Sequence, residues 1–503
     1  MRVQSNNYNP FSAVRKVDIQ IGFGLFDVSA KNNATVLETG GFSFSRADQT
    51  INENYISGGK YTALEHNSWG LDGTVDLIPD NVESVEIGMW SNVSNRDSRF
   101  DNQNIKYEFS APVSTIGWTL YFDSRLNQYP TEILVSAFDS GGNIIYNENY
   151  KGNGHTQVIQ APVQNYSSVI FEFLENSLPL SSVRLLEVEF GIYQRFNKDN
   201  IEKAELIYGV NISADSFPSR QLLYSFDNSD KSYNLLNPSG LYAYLQEGQE
   251  ITAKIYIDGE PVDMGHFYFQ SAEAVNSAVT ARIKATDIVY SLDTDPFFNG
   301  SNTKMTLSEA VGLVLDGLDV SVNYHDVGDT LVVVAIPDGT SKRESIRYLA
   351  QAAMCSVWVD RDGVIQFADL LAKEEAVEEI TSDELYNFNG ITVSNSLDKV
   401  VLTVENQHAG TKTEYVAGFG KNAKMVKNPC VAPENGSAVA EWLLEKYNLL
   451  KKYSVKNRGD YSIEIGDTVK IEDAYKQNEN AVVTGIEVYY SGGVYAVTNA
   501  VGV

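Results

Sequence analysis

The sequence predicts a mainly β, multidomain protein, and three observations carry that prediction. At 503 residues the chain is too long for a single hydrophobic core. Tyr and Phe are abundant, at 29 and 22, beside 37 glycines, a mixture that suits pleated strands joined by tight turns. Short apolar–polar alternations of period two recur along most of the chain, bounded by Gly, Asn and Asp.

Residues 1–94 open with Val17-Asp18-Ile19-Gln20-Ile21, a period-two run, then Leu25-Phe26-Asp27-Val28 and a loop at Lys31-Asn32-Asn33. Lys60 to Gly73 is less regular and reads as a segment packed across a surface. Residues 95–193 have the size of one β-sandwich. Strand candidates there are Ile105–Phe109, Gly117–Phe122, Glu132–Phe138, Asn143–Tyr150, Thr156–Ile159, Ser168–Phe173 and Arg184–Tyr193, with a tight turn at Asp139-Ser140-Gly141-Gly142-Asn143. Its architecture resembles a carbohydrate-binding or discoidin-like jelly roll.

Residues 194–300 centre on Gln221–Phe269. Strand-like runs Leu222–Phe226 and Ile251–Ile257 flank a polar loop in which Asn237-Pro238-Ser239-Gly240 signals a turn. Asp258-Gly259 then closes a hairpin onto a strand ending at Phe269, and Ala278–Ile288 is the last strand of the region. Residues 301–373 read as a small α+β unit. Thr306-Leu307-Ser308-Glu309 and Ser341-Lys342-Arg343-Glu344 are capping boxes, each opening a helix with one apolar face, and Ser356–Val359 and Val364–Ala368 form a hairpin across Asp360-Arg361-Asp362-Gly363. Residues 374–503 return to β structure after an acidic linker, Lys373–Glu379. Strands are expected at Lys399–Val404, Lys412–Val416, Asp467–Glu472, Ala481–Tyr490 and Val494–Val501, with one helix at Ala438–Leu450.

The net charge of −28 excludes nucleic-acid binding by counterion release, which needs Lys and Arg against phosphates. The N-terminus, Met1-Arg2-Val3-Gln4-Ser5-Asn6-Asn7, lacks a signal-peptide pattern, and no apolar window is long enough to span a bilayer, so synthesis in the cytoplasm is expected without membrane insertion. Cys355 and Cys430 do not make a disulfide framework, and Cys355 reads as the buried end of a helix. His66, His155, His266, His325 and His408 stand at no metal-ligand spacing, and no metal or cofactor is expected. Gly22-Phe23-Gly24 and Gly418-Phe419-Gly420-Lys421 complete no phosphate-loop motif and read as strand bulges or turns. His325-Asp326, the one adjacent His–Asp pair, is placed in a turn.

The sandwich supplies the candidate binding residues. Sugar sites lay aromatic rings on the apolar faces of the sugar and ring them with polar groups. Trp118, Tyr121, Tyr129 and Trp90 are the aromatic candidates, with Arg96 and Arg99 beside Asp97, Asp101 and Asn102 as polar neighbours. The alternative is that Trp118 is core and the loop merely solvated.

The order F-D-N-S-D at Phe226–Asp230, N-P-S-G-L-Y-A-Y-L-Q-E-G-Q at Asn237–Gln249, a hairpin, then G-H-F-Y-F at Gly265–Phe269 resembles the hub-like tail proteins of phages and prophages of Gram-positive bacteria. The passage from Tyr61 to Gly73 fits that family too. The resemblance implies two hub β domains (1–94 completed by 194–300, and 374–503), an inserted jelly-roll sandwich (95–193) and the α+β unit (301–373). It implies a non-enzymatic structural component of a virion tail, at the baseplate hub or tail tip. Its partners would be copies of itself as a homotrimer, the tail tube, distal tail and central fibre or spike proteins, and a host cell-wall glycan. The alternatives are a glycan-binding, adhesin-like tail protein and a tail-associated cell-wall hydrolase.

Overall fold

The computed structural model describes residues 16–51, 61–62, 76–77, 87–234, 237, 240–274, 279–294, 297, 302–318, 320–373, 375–381, 385–406, 410–459, 461–472 and 478–502. Pro238 and Ser239 of the turn signal, most of the 60–73 passage, His66 and His408 lie outside them. The fold is mainly β and multidomain. It divides into two compact units: Met1–Gly22 with Arg195–Gly240 and Glu250–Val503, and Phe23–Gln194 with Leu241–Gln249.

The first unit is organised on a large sheet. The central order runs from strand Val17–Phe26 through Glu250–Ile257, Glu260–Ala274, Thr280–Thr286, Gln221–Asp227, Ile201–Gly209, Asn478–Tyr490 and Val494–Gly502 to Lys451–Asn457. The 250–274 hairpin turns on Asp258 and Gly259, both in the left-handed region at φ +48° and +92°, the backbone that a two-residue primed turn requires. Asp258 is also tied to the first strand: its Oδ1 accepts from Lys16 N at 3.0 Å, and its own N–H donates to Lys16 O at 2.8 Å.

Helices Leu307–Val314 and Lys342–Ala352 begin where the capping boxes place them. The Thr306 hydroxyl accepts from Glu309 N, and the Glu309 carboxylate accepts from Thr306 N. Ser341 caps the second helix by accepting from Glu344 N. Their apolar faces share one core with residues well beyond 373. Leu307, Val311, Ile346 and Leu349 pack in the same cluster as Val400, Leu402, Val426, Val439 and Leu443. Strands Lys399–Asn406, Thr411–Gly418 and Ala423–Lys427 form a three-stranded sheet, and its buried face rests on helix Gly436–Tyr447. That helix starts and ends two to three residues earlier than its sequence pattern indicates. Part of the acidic stretch after Lys373 is not linker: Glu378–Ile380 is a strand, parallel to Thr468–Glu472.

The second unit holds a seven-stranded sheet. Ile105–Phe109 and Gly117–Phe122 are two halves of one strand, Arg99–Phe122, and Thr156–Ile159 and Ser168–Phe173 are two halves of Thr156–Asn176. The two long strands pair along their length, with register breaks between Glu108 and Gly117. Bulges of this kind bend a strand pair and strengthen its twist. Trp118 in one half thereby packs on Phe171 in the other, and Tyr107 on Phe190. The sheet also takes Ala34–Thr39 and Met89–Trp90, from before residue 95.

Candidate functional site

The six predicted glycan residues do not form one surface. Trp118 is 0% exposed, boxed by the rings of Tyr146, Tyr166 and Phe171 at 5.9 Å each, and its Nε1 donates to Tyr166 Oη at 3.3 Å. Trp90 is 1% exposed; its Nε1 donates to Ser182 Oγ at 2.7 Å, and the Arg184 guanidinium lies 3.6 Å above its ring. Neither indole offers a face to a sugar, which corrects that expectation. Both are drawn inside because large rings supply most of the apolar area that a sandwich core buries.

The remaining four keep some exposure: Tyr121 and Tyr129 are half-buried, and Arg96 and Arg99 are exposed. The 95–99 loop and Tyr129 meet at one end of the sheet. Asn176 N donates to Ser98 O at 2.8 Å, and the next residue, Ser177, donates from its N to Tyr129 O at 2.9 Å. The loop is shaped by Asn95, whose Oδ1 accepts from Asp97 N and Arg99 N. Beneath the sheet lies a buried ion cluster that the sequence did not signal. Lys31 Nζ reaches Glu187 and, at 2.6 Å, Glu189. Burial pulls the ammonium down, but Glu189 and Glu187 more than offset this and raise its pKa. Burial pushes the Glu187 carboxyl up to about 8 against the opposing pull of Lys31.

In the first unit, a cleft of about 770 Å³ opens beside the 356–368 hairpin. His325 and Asp326 enter it on left-handed backbone, at φ +34° and +68°. The His325 ring lies parallel to Trp358, centroids 6.5 Å apart, and its Nε2 lies 2.7 Å from Gln366 Oε1 and 3.1 Å from Asn323 Nδ2. Gln366 Nε2 donates in turn to Asp360 Oδ2 at 2.8 Å. So the side-chain partners of His325 are the amides of Gln366 and Asn323, not the adjacent Asp326. Two of the lining carboxylates serve the scaffold. Asp360 Oδ1 accepts from Asp362 N and Val364 N, and Asp369 accepts from Trp442 Nε1 and Lys446 Nζ. Among the described residues, no serine, threonine or cysteine lines the cleft.

Comparison with family models finds no match, and comparison with curated proteins finds none. Among solved structures, the chain is similar to a tail protein from Neisseria meningitidis MC58. Identity is 13% and the TM-score 0.45, over 61% of this chain and 93% of that one. It is similar to the 43 kDa tail protein of prophage MuSo2 from Shewanella oneidensis at 14% identity and TM-score 0.45, over 61% and 94%. A family 32 CBM from C. perfringens NanJ, solved with galactose, matches at 9% identity and TM-score 0.22, over 34% and 99%. At these identities the likeness concerns fold alone.

Two buried arginines tie the cleft's hairpin into the first unit. Arg220 Nη1 donates to Asp360 O at 2.7 Å and Nη2 to Met264 O. Arg361 donates to Tyr461 O at 2.8 Å and Ile463 O at 2.9 Å, and its Nε lies 3.1 Å from Glu464. Gly265, at φ +103°, leaves the space: a Cβ there would stand 2.6 Å from Arg361 O and 2.8 Å from both terminal nitrogens of Arg220. Both cysteines are buried and free, and burial pushes the Cys430 thiol up to about 12, far from a nucleophile's range. Among the described residues, no group of three or more His, Cys, Asp or Glu is arranged to hold a metal.

Proposed function

We propose that the chain is a non-enzymatic structural component of a phage tail or tail-like particle, a hub-like protein of the baseplate or tail tip in a Gram-positive host. In this reading it assembles as a homotrimer and links the tail tube to the distal tail and central fibre or spike. The observation that carries it is the motif order of Phe226–Phe269, with the place that order takes in the fold. Strands 221–227, 250–257, 260–274 and 280–286 are neighbours at the heart of the large sheet. Supporting it, Asp360 and Asp369 in the cleft beside the 356–368 hairpin are engaged in a turn and in anchoring a helix. The test is to purify particles from an induced lysogen, identify the chain by mass spectrometry and locate it by gold labelling. Label at the tail tip is expected. Particles without the chain, or lysis zones from the purified chain on peptidoglycan zymograms, refute the reading.

The end of the sandwich where the 95–99 loop meets Tyr129 favours one addition, contact with a host cell-wall glycan through Tyr121, Tyr129, Arg96 and Arg99. A glycan array with the full chain and a Tyr129→Ala, Arg99→Ala double variant tests it. Equal binding by both proteins, or no binding by either, rejects it.

A further inference from the structure

The three-stranded sheet of residues 399–427 has one face in the core and one in solvent. Val400, Leu402, Ala417 and Val426 point into the core. By strand alternation, Val401 lies on the other face. The register sets it between Val416 on one neighbouring strand and Met425 on the other. Val416 is 58% and Met425 64% exposed, flanking Val401 at 8%, so an apolar row with exposed ends crosses a solvated face, where polar residues are the norm.

A second observation points to a partner. Phe419, in the Gly418-Phe419-Gly420 loop, is 92% exposed, yet its loop is built to hold it there. Asp398 Oδ2 accepts from Lys421 N and Asn422 N at 3.1 Å each. Gly418 and Gly420 sit at φ +74° and +144°. A Cβ on Gly418 would meet Asp398 O at 2.2 Å, and one on Gly420 would meet the Asp398 side chain at 2.4 Å. An exposed aromatic on a fixed loop has its ordering cost settled before any encounter, which is how interface anchors act.

The charge around the row selects the occupant. Residues 398–428 hold five lysines and three carboxylates, in a chain with 38 basic and 66 acidic residues. Lys399, Lys412 and Lys427 share the face with the apolar row, beside Glu405 and Glu414; Lys412 is engaged by Glu414 at 3.5 Å, Lys421 follows Phe419 in the loop, and Lys424 lies on the opposite face, paired with Asp215 at 2.7 Å. An apolar face with more lysines than carboxylates, on an otherwise strongly acidic chain, is complementary to the rest of that same chain. We propose that Val401, Val416, Phe419 and Met425 form a docking face for a second copy of this chain. The contact is heterologous: this face of one copy meets an acidic surface of the next, a geometry that gives a ring when the rotation between copies closes. This gives a surface to the self-association in the reading above and rests on that reading for its biological setting only.

The test is analytical ultracentrifugation of the full chain from 1 to about 100 µM, beside a Phe419→Ser, Met425→Glu variant and a Lys399→Glu, Lys427→Glu variant. Circular dichroism melts check that both variants fold. Wild-type chain is expected to self-associate, more weakly in high salt, and each variant to associate at least about tenfold more weakly with an unchanged melt. Variants that associate like wild type overturn this face. A wild-type chain that stays monomeric throughout overturns the second copy as occupant. Neither result touches the tail assignment, which is decided by the presence of the chain in particles.

Discussion

Replacing Trp118 by alanine removes the largest side chain from the core of the second unit. The indole is fully buried, three aromatic rings lie 5.9 Å from it, and Tyr166 Oη accepts its N–H. Burying a cavity of that size costs about 3–5 kcal/mol. The lost ring pairs and the orphaned Tyr166 hydroxyl place the value near the top of that range, at about 4–5 kcal/mol. With a urea slope of about 2 kcal/mol/M, the unfolding midpoint of this unit should fall by roughly 2 M. The assay is urea unfolding of the full chain followed by circular dichroism, with Trp118→Phe as companion. Phenylalanine keeps most of the volume, and a drop of less than about half that size is expected. If Trp118→Ala leaves the midpoint within about 0.3 M of wild type while abolishing glycan binding, the core assignment is wrong and the indole faces ligand.

Gly265→Ala should cost about 3 kcal/mol or more in a thermal melt, because its Cβ meets backbone and guanidinium on left-handed backbone, whereas Gly259→Ala, at φ +92° with nothing within 4 Å, should cost only about 1 kcal/mol; equal costs would refute the packing argument. Asp287 is pushed up by burial to about 6 from 3.8, so between those values the folded chain holds more protons than the unfolded one, and this group's contribution to stability falls as pH rises through the window. The melting temperature of Asp287→Asn, measured relative to wild type, should therefore climb from pH 4 to pH 6 and level off above; a flat difference contradicts the shift. Ser341→Ala removes the cap of helix Lys342–Ala352 and should lower stability by about 1 kcal/mol in urea titrations, with Ser341→Asp restoring most of it.

What the sequence announced was chemistry completed within a few residues. Thr306 and Glu309, Asp258 and Gly259, and Asp360 with the amides of Asp362 and Val364 each close a turn or cap by local hydrogen bonds or local φ, so their residue types alone imply their structure. What it withheld was decided at a distance. The Pro-containing stretch between Phe109 and Gly117 reads as a break between two strands, yet it is a bulged stretch of one, because pairing with Thr156–Asn176 continues across it. Trp118 and Trp90 have the composition of a sugar platform and the position of a core; distant pairing decides between the two, by setting Phe171 against Trp118 and Ser182 against Trp90. Arg220 and Asp360 meet across 140 positions, and no local pattern marks either as a partner of the other.

The same distinction bears on Phe419. Gly-Phe-Gly in a strand region reads as a bulge, and a bulge leaves the direction of its aromatic open. Asp398, twenty-three and twenty-four residues away from the two amides it holds, settles that direction. A loop that merely connected two strands would gain nothing from excluding a Cβ at both glycines while its phenylalanine stood in water. The exclusion makes sense if the ring is meant to be met. Replacing Asp398 by alanine should then free the loop and weaken self-association nearly as much as removing the ring, while leaving the melt of the buried core close to wild type. An association constant untouched by Asp398→Ala, with Phe419→Ser still effective, would leave the anchor in place but remove the argument that its loop is prepared in advance.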